Sequence, residues 1–114
     1  MLILTAIALF VIAACFGLVI LTAILKDQPT PKLFVAMHGP IAASALVLLI
    51  IDIVKGHTEG LLIASVIIFV LAAMGGFYLY TMDMLKKPIP KIAALLHPLT
   101  AATGLVVLII YALS

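Results

Sequence analysis

Charged residues interrupt this chain at only three places, and almost everything between them is apolar. The charges gather at Lys26-Asp27 with Lys32, at Asp52 to Glu59, and at Asp83 to Lys91. Four stretches remain: about Leu2 to Leu25, Leu33 to Val54, Leu61 to Leu85 and Ile92 to Leu113. Each holds about 20 residues or more, which at 1.5 Å per residue crosses a hydrocarbon core roughly 30 Å thick. Pro or Gly punctuates the loops Lys26–Lys32, Lys55–Gly60 and Lys86–Lys91, and connections this short force neighbouring helices to run antiparallel. The pattern predicts an all-α fold, an integral membrane up-down four-helix bundle.

Composition narrows the function. The chain of 114 residues is 68% hydrophobic and 9% charged, against about 25% charged in soluble domains, so a soluble globule is excluded. Six lysines, no arginine and a net charge of +2 give no basic surface for nucleic acid. The single Cys15 permits neither an internal disulfide nor a multi-cysteine metal site. The first and third loops hold Lys26, Lys32, Lys86, Lys87 and Lys91, and the middle loop holds Lys55 alone. That bias predicts the two lysine-rich loops in the cytoplasm of a bacterial or archaeal cell and both termini outside its cytoplasmic membrane. Ile12-Ala13-Ala14-Cys15 resembles the box before a lipidated cysteine. With no basic residues ahead of it and Phe16 to Leu25 still apolar, the segment is expected to be an integral helix.

Sliding the sequence by 59 residues aligns residues 1–55 with 60–114 without a gap and with 18 identities in 55 positions. Phe10-Val11 falls on Phe69-Val70, Ala13-Ala14 on Ala72-Ala73, Gly17 on Gly76, Pro29-x-Pro31-Lys32 on Pro88-x-Pro90-Lys91, and His38 on His97. A single domain made of two tandem helical-hairpin repeats follows. Two spans per repeat give both copies the same orientation, related by a pseudo-two-fold axis along the membrane normal. Equivalent residues then sit at equal depth.

His38 and His97 lie six residues beyond Lys32 and Lys91, about 9 Å of helix rise into the membrane. Ionisable side chains there are rare and mark functional sites by default. At 100° per residue the face of His38 continues through Ala42 and Ala45, and that of His97 through Ala101 and Gly104. Small side chains leave room for a flat cofactor, and Gly17 and Gly76, near the histidine level, let a porphyrin edge approach the backbone. Neutral imidazole is a common metal ligand, and haem iron takes two axial ligands on opposite sides of its plane. With no Cys-x-x-Cys-His for covalent attachment, the expectation is one b-type haem per chain. His38 and His97 would be its axial ligands, with propionates toward Lys32 and Lys91.

One histidine on each of the second and fourth helices of an up-down bundle resembles the membrane b-type cytochromes and is similar to either half of heme A synthase. The resemblance covers the four-helix frame, His38 and His97. A second histidine pair and an acid-His-Arg signature have no counterpart in this sequence. It implies haem binding and electron transfer rather than a stand-alone enzyme. The partners implied are the lipid bilayer and a redox protein or quinone, with a homodimer or a larger membrane complex as the assembly.

Other readings stay open on the residues alone. The histidines could serve another metal or a proton, or could bond a carbonyl freed by proline, since Pro40 cannot bond Ala36 and Pro98 cannot bond Ala94. Cys15, Met37, Met74 and Met84 raise copper handling, because thiolate and thioether select Cu(I). A non-catalytic subunit of a membrane complex is a further alternative. Asp52 and Asp83 are expected to be interfacial charges, His57 a solvated surface histidine, and Tyr78, Tyr80 and Tyr111 interfacial aromatics.

Overall fold

The computed structural model describes residues 2–114, all of it helix and short loops. The helices are α1 (Leu2–Leu25), α2 (Lys32–Val54), α3 (Gly60–Met84) and α4 (Lys91–Leu113). All four are long and apolar enough to cross a membrane, and the bundle measures 43 × 23 × 21 Å. Its length matches a bilayer of about 40–45 Å with headgroups included.

Local chemistry sets each helix end within a residue of the sequence expectation. α1 and α3 stop at left-handed residues, Asp27 (φ 55) and Lys86 (φ 56), which are repeat equivalents. Behind them Asp27 N–H donates to Ile24 and Gln28 N–H to Ala23, as Lys86 N–H does to Asp83 and Lys87 N–H to Met82. These bonds satisfy carbonyls that the last helical turn leaves open. α2 closes the same way on Gly56 (φ +108). α2 and α4 each begin directly after a proline, Pro31 and Pro90, whose fixed φ suits a helix start.

The helices stand in a square. α1 packs on α2 and α3 on α4 as hairpins, with α1 beside α4 and α2 beside α3. Among the described residues no Cα of α2 comes within 8 Å of one of α4, nor α1 of α3. Side chains fill the axis between these diagonals, many of them from positions 59 apart. Phe10 and Phe69 stack with centroids 3.8 Å apart and planes 4° from parallel. Leu49 and Leu108 are fully enclosed, as are Ala6 and Ser65. Ser65 donates its hydroxyl to the Leu62 carbonyl. Gly104 is closely covered: a Cβ there would stand 3.2 Å from Ile68 and 3.3 Å from Phe69, and those side chains would have to give by a few tenths of an ångström. Outward leucines, isoleucines and aromatics such as Leu18, Phe77 and Leu99 are exposed, a surface suited to lipid tails. Apolar burial does not drive helix association in lipid, so close packing of this narrow core and the polar contacts at the helix ends carry the assembly.

At the lysine-rich end the hairpins are tied together. Lys32 Nζ lies 2.9 Å from Asp83 Oδ2, which also accepts from Thr30 Oγ1 at 2.8 Å. Lys91 Nζ lies 3.2 Å from Asp27 Oδ2. The two ties differ in depth, the Asp83 side chain being 15% exposed and that of Asp27 79%. Asp83→Ala should therefore cost about 1–2 kcal/mol by stranding Thr30 and Lys32, and Asp27→Ala under about 0.5 kcal/mol as an exposed pair. Denaturant titration in detergent micelles reads this; equal costs would rank both as surface pairs.

At the opposite end a charged residue and a histidine pair. Asp52 is buried, with 7% of its surface exposed, and its Oδ1 lies 3.2 Å from Nδ1 of His57. His57 is exposed, as expected of a loop histidine, and is in addition the partner of a buried carboxylate. The left-handed cap at Gly56 folds His57 back over the helix end, a turn that residue spacing alone does not report.

Candidate functional site: the paired histidines

α2 and α4 carry His38 and His97 toward each other across the bundle diagonal. Their ring centroids are 6.1 Å apart with planes at 82°, and both side chains are half-buried. Nδ1 of His38 lies 2.7 Å from the carbonyl oxygen of Ala13, and Nδ1 of His97 lies 2.8 Å from that of Ala72. A carbonyl only accepts, so Nδ1 must hold the proton and donate it. Each neutral ring is then left with its lone pair on Nε2. Neither Nε2 makes a hydrogen bond among the described residues.

These acceptors are not the carbonyls that the prolines release. Ala36 and Ala94 lie on the histidines' own helices, whereas Ala13 and Ala72 lie on the preceding helix of each hairpin. The histidines reach across instead of mending the Pro40 and Pro98 interruptions, because the absence of a side chain at Gly17 and Gly76 opens the way. A Cβ built on Gly17 would stand 3.0 Å from Cε1 of His38, and one on Gly76 3.0 Å from Cε1 of His97. Ala13, Gly17 and His38 thus form one unit, repeated 59 residues on as Ala72, Gly76 and His97.

Most of the remaining residues singled out in the sequence have clear places. Ala42 and Ala101 are half-buried one turn beyond the histidines, and Ala45 and Gly104 behind them are buried. The level around the rings is therefore lined by small side chains, with the Phe10–Phe69 stack lying deeper along the axis. Lys32 and Lys91 are not gathered at the rings; they stand at the helix starts, in the ion pairs with Asp83 and Asp27. Cys15, Met37, Met74 and Met84 are exposed on the outer surface. Among the described residues no three His, Cys, Asp or Glu side chains gather as a metal site.

Two participants escaped the sequence reading, the carbonyls of Ala13 and Ala72. Their signal was present: both alanines are repeat identities, and each lies 25 residues before its histidine. Gly75 was missed as well; a Cβ there would be 3.9 Å from Nδ1 of His97.

Two imidazoles on opposite sides of one metal would have nitrogen–metal bonds of about 2 Å; with each nitrogen about 1.2 Å from its ring centre, the centroids of a collinear pair would lie about 6.4 Å apart. The observed 6.1 Å is near that spacing and is also that of an edge-to-face ring contact, and a ring held through Nδ1–H to a carbonyl is the usual outer support of a metal-bound histidine. Comparison of the chain with protein-family models, curated proteins and solved structures finds no match.

Proposed function

We propose that this bundle is a membrane-embedded b-type haem protein that carries electrons, with one haem b per chain held between His38 and His97. The observation that carries the proposal is the facing pair itself. The two ring centroids lie 6.1 Å apart, near the spacing of two ligands on opposite sides of one metal, each with Nδ1 committed to a backbone carbonyl and Nε2 free of hydrogen bonds among the described residues.

Bound haem supplies reversible one-electron chemistry. The chain's own residues do the rest. Ala13 and Ala72 fix the tautomer and orient the rings. Gly17 and Gly76 let the rings sit against α1 and α3, and Ala42 and Ala101, half-buried one turn beyond the histidines, keep bulky side chains away from that level. Lys32 and Lys91 stand at the end where propionate charge would emerge, sharing it with Asp83 and Asp27. An absorbance spectrum of the purified protein tests the assignment. It should show a Soret band and visible bands that sharpen on reduction, and a colourless, haem-free protein would reject it.

A second reading has its own support. The bonds from His38 to Ala13 and from His97 to Ala72 join α2 to α1 and α4 to α3, which would serve a colourless structural subunit of a larger membrane complex equally well. Metal handling, copper included, would give a colourless protein that carries metal by elemental analysis.

The lysine bias places Lys26–Lys32 and Lys86–Lys91 in the cytoplasm and both termini outside a bacterial or archaeal cytoplasmic membrane. Single cysteines introduced in those loops in a Cys15→Ser background should resist membrane-impermeant maleimide in intact cells. Labelling from outside would reverse the topology. The partners in this reading are the bilayer and a redox protein or quinone, and the assembly is a homodimer or a larger membrane complex.

A further inference from the structure

We infer that the lysine-rich end of the bundle is a docking surface for an acidic soluble redox protein. The inference rests on the haem reading, and three features carry it.

The first is depth. His38 is six residues from Lys32 and 16 from Val54, about 9 Å of helix rise on one side and about 24 Å on the other. His97 has the same register in α4. Electron exchange with a protein in solution is therefore shortest through the end formed by Lys26–Lys32 and Lys86–Lys91.

The second is charge. That end carries Lys26, Lys32, Lys86, Lys87 and Lys91 against Asp27 and Asp83, a net +3, while the loop at the far end carries Asp52, Lys55 and Glu59, a net −1. Lys32 and Lys91 are spent on Asp83 and Asp27. Lys26, Lys86 and Lys87 are exposed, and no ion pair holds any of them among the described residues. A patch of one sign steers an oppositely charged partner and accelerates its association by about 10- to 1,000-fold at low ionic strength.

The third is rigidity. Both loops open on a left-handed cap, at Asp27 and Lys86, and each carries two prolines. The ion pairs then cross from one hairpin to the other. Lys26, Lys86 and Lys87 thus stand on a pre-formed surface, which lowers the ordering cost of docking. In each encounter the reduced partner gives one electron to the site and is oxidised by one; no bond forms or breaks.

The test uses the bundle in phosphatidylcholine nanodiscs and an acidic flavodoxin as probe, with binding followed by biolayer interferometry. The probe should bind the unmodified bundle, and the triple variant Lys26→Glu, Lys86→Glu, Lys87→Glu should weaken binding at least tenfold. Raising salt from about 20 to 150 mM should weaken it in the same direction. Stopped-flow reduction of the haem-loaded bundle by the flavodoxin should slow at least tenfold in the triple variant, while dithionite should reduce both forms equally. The His38→Ala, His97→Ala variant, lacking ligands but keeping the lysines, should bind the flavodoxin as well as the parent. Binding with no haem spectrum in the parent would reject the haem reading and keep the acidic docking face. A haem spectrum with binding and reduction indifferent to the charge reversal would overturn the docking face alone. Loss of phosphatidylglycerol binding in the triple variant with flavodoxin binding unchanged would also overturn it, giving the lysines to lipid headgroups.

Discussion

His38→Ala and His97→Ala should each abolish six-coordinate haem binding, and to the same degree. The two rings share their main contacts: each donates Nδ1–H to an alanine carbonyl and each rests against a glycine, with their centroids 6.1 Å apart. Loss of a supporting hydrogen bond around a metal ligand typically costs 10- to 100-fold in affinity, so loss of the ligand itself should exceed about 100-fold. The product is haem-free protein or a five-coordinate, high-spin remnant. Haem per chain by pyridine haemochromogen, with the spin state read from the Soret position, measures both outcomes. A full complement of unchanged six-coordinate haem in His97→Ala, with loss only in His38→Ala, would reject the shared-ligand arrangement and favour a dimer bridged by His38.

The frame of this site is legible in the sequence because its causes are local. Helix ends follow from Pro31 and Pro90 at the starts and from short polar loops at the stops, so the boundaries fall within a residue of the hydropathy pattern. The depth of the histidines follows from counting residues along α2 and α4. Their mutual approach follows from the duplication, which sets His38 and His97 at one level. Contacts that depend on the azimuth of a second helix are not encoded that way. Nothing along α2 says that Nδ1 of His38 finds Ala13, and nothing along α1 says that Asp27 is taken by Lys91 instead of its neighbour Lys26. Asp83 lies four residues from Lys87, a spacing that supports a helical pair, yet it joins Lys32 and Thr30 of the other hairpin. The duplication also fails as a guide where the copies diverge. Asp52 and Tyr111 are equivalent positions, but only the aspartate is buried with a histidine partner, because only the first repeat is followed by Gly56 and His57.

Gly17→Ala and Gly76→Ala should weaken haem binding while leaving the helices intact, a combination that separates close approach from general stability. Alanine in a helix interior is favoured over glycine by about 0.5–1 kcal/mol, so the backbone of α1 or α3 gains. The added Cβ stands 3.0 Å from Cε1 of the adjacent histidine, closer than a methyl and a ring carbon tolerate, and the ring has to withdraw. Withdrawal lengthens the Nδ1 bond to Ala13 or Ala72 and shifts Nε2 with the ring. The expected loss is about 10- to 100-fold in haem affinity, the range found when a supporting contact of a metal ligand is removed. Far-UV circular dichroism of the haem-free protein should be unchanged. Gly39→Ala supplies the control: it makes the same chemical change in α2 where an added Cβ meets nothing within 4 Å, so it should bind haem as the parent does. Equal haem affinity in the parent, Gly17→Ala and Gly39→Ala would mean that the ring can hold its ligating position without resting on α1, and that the glycines serve only the packing of each hairpin.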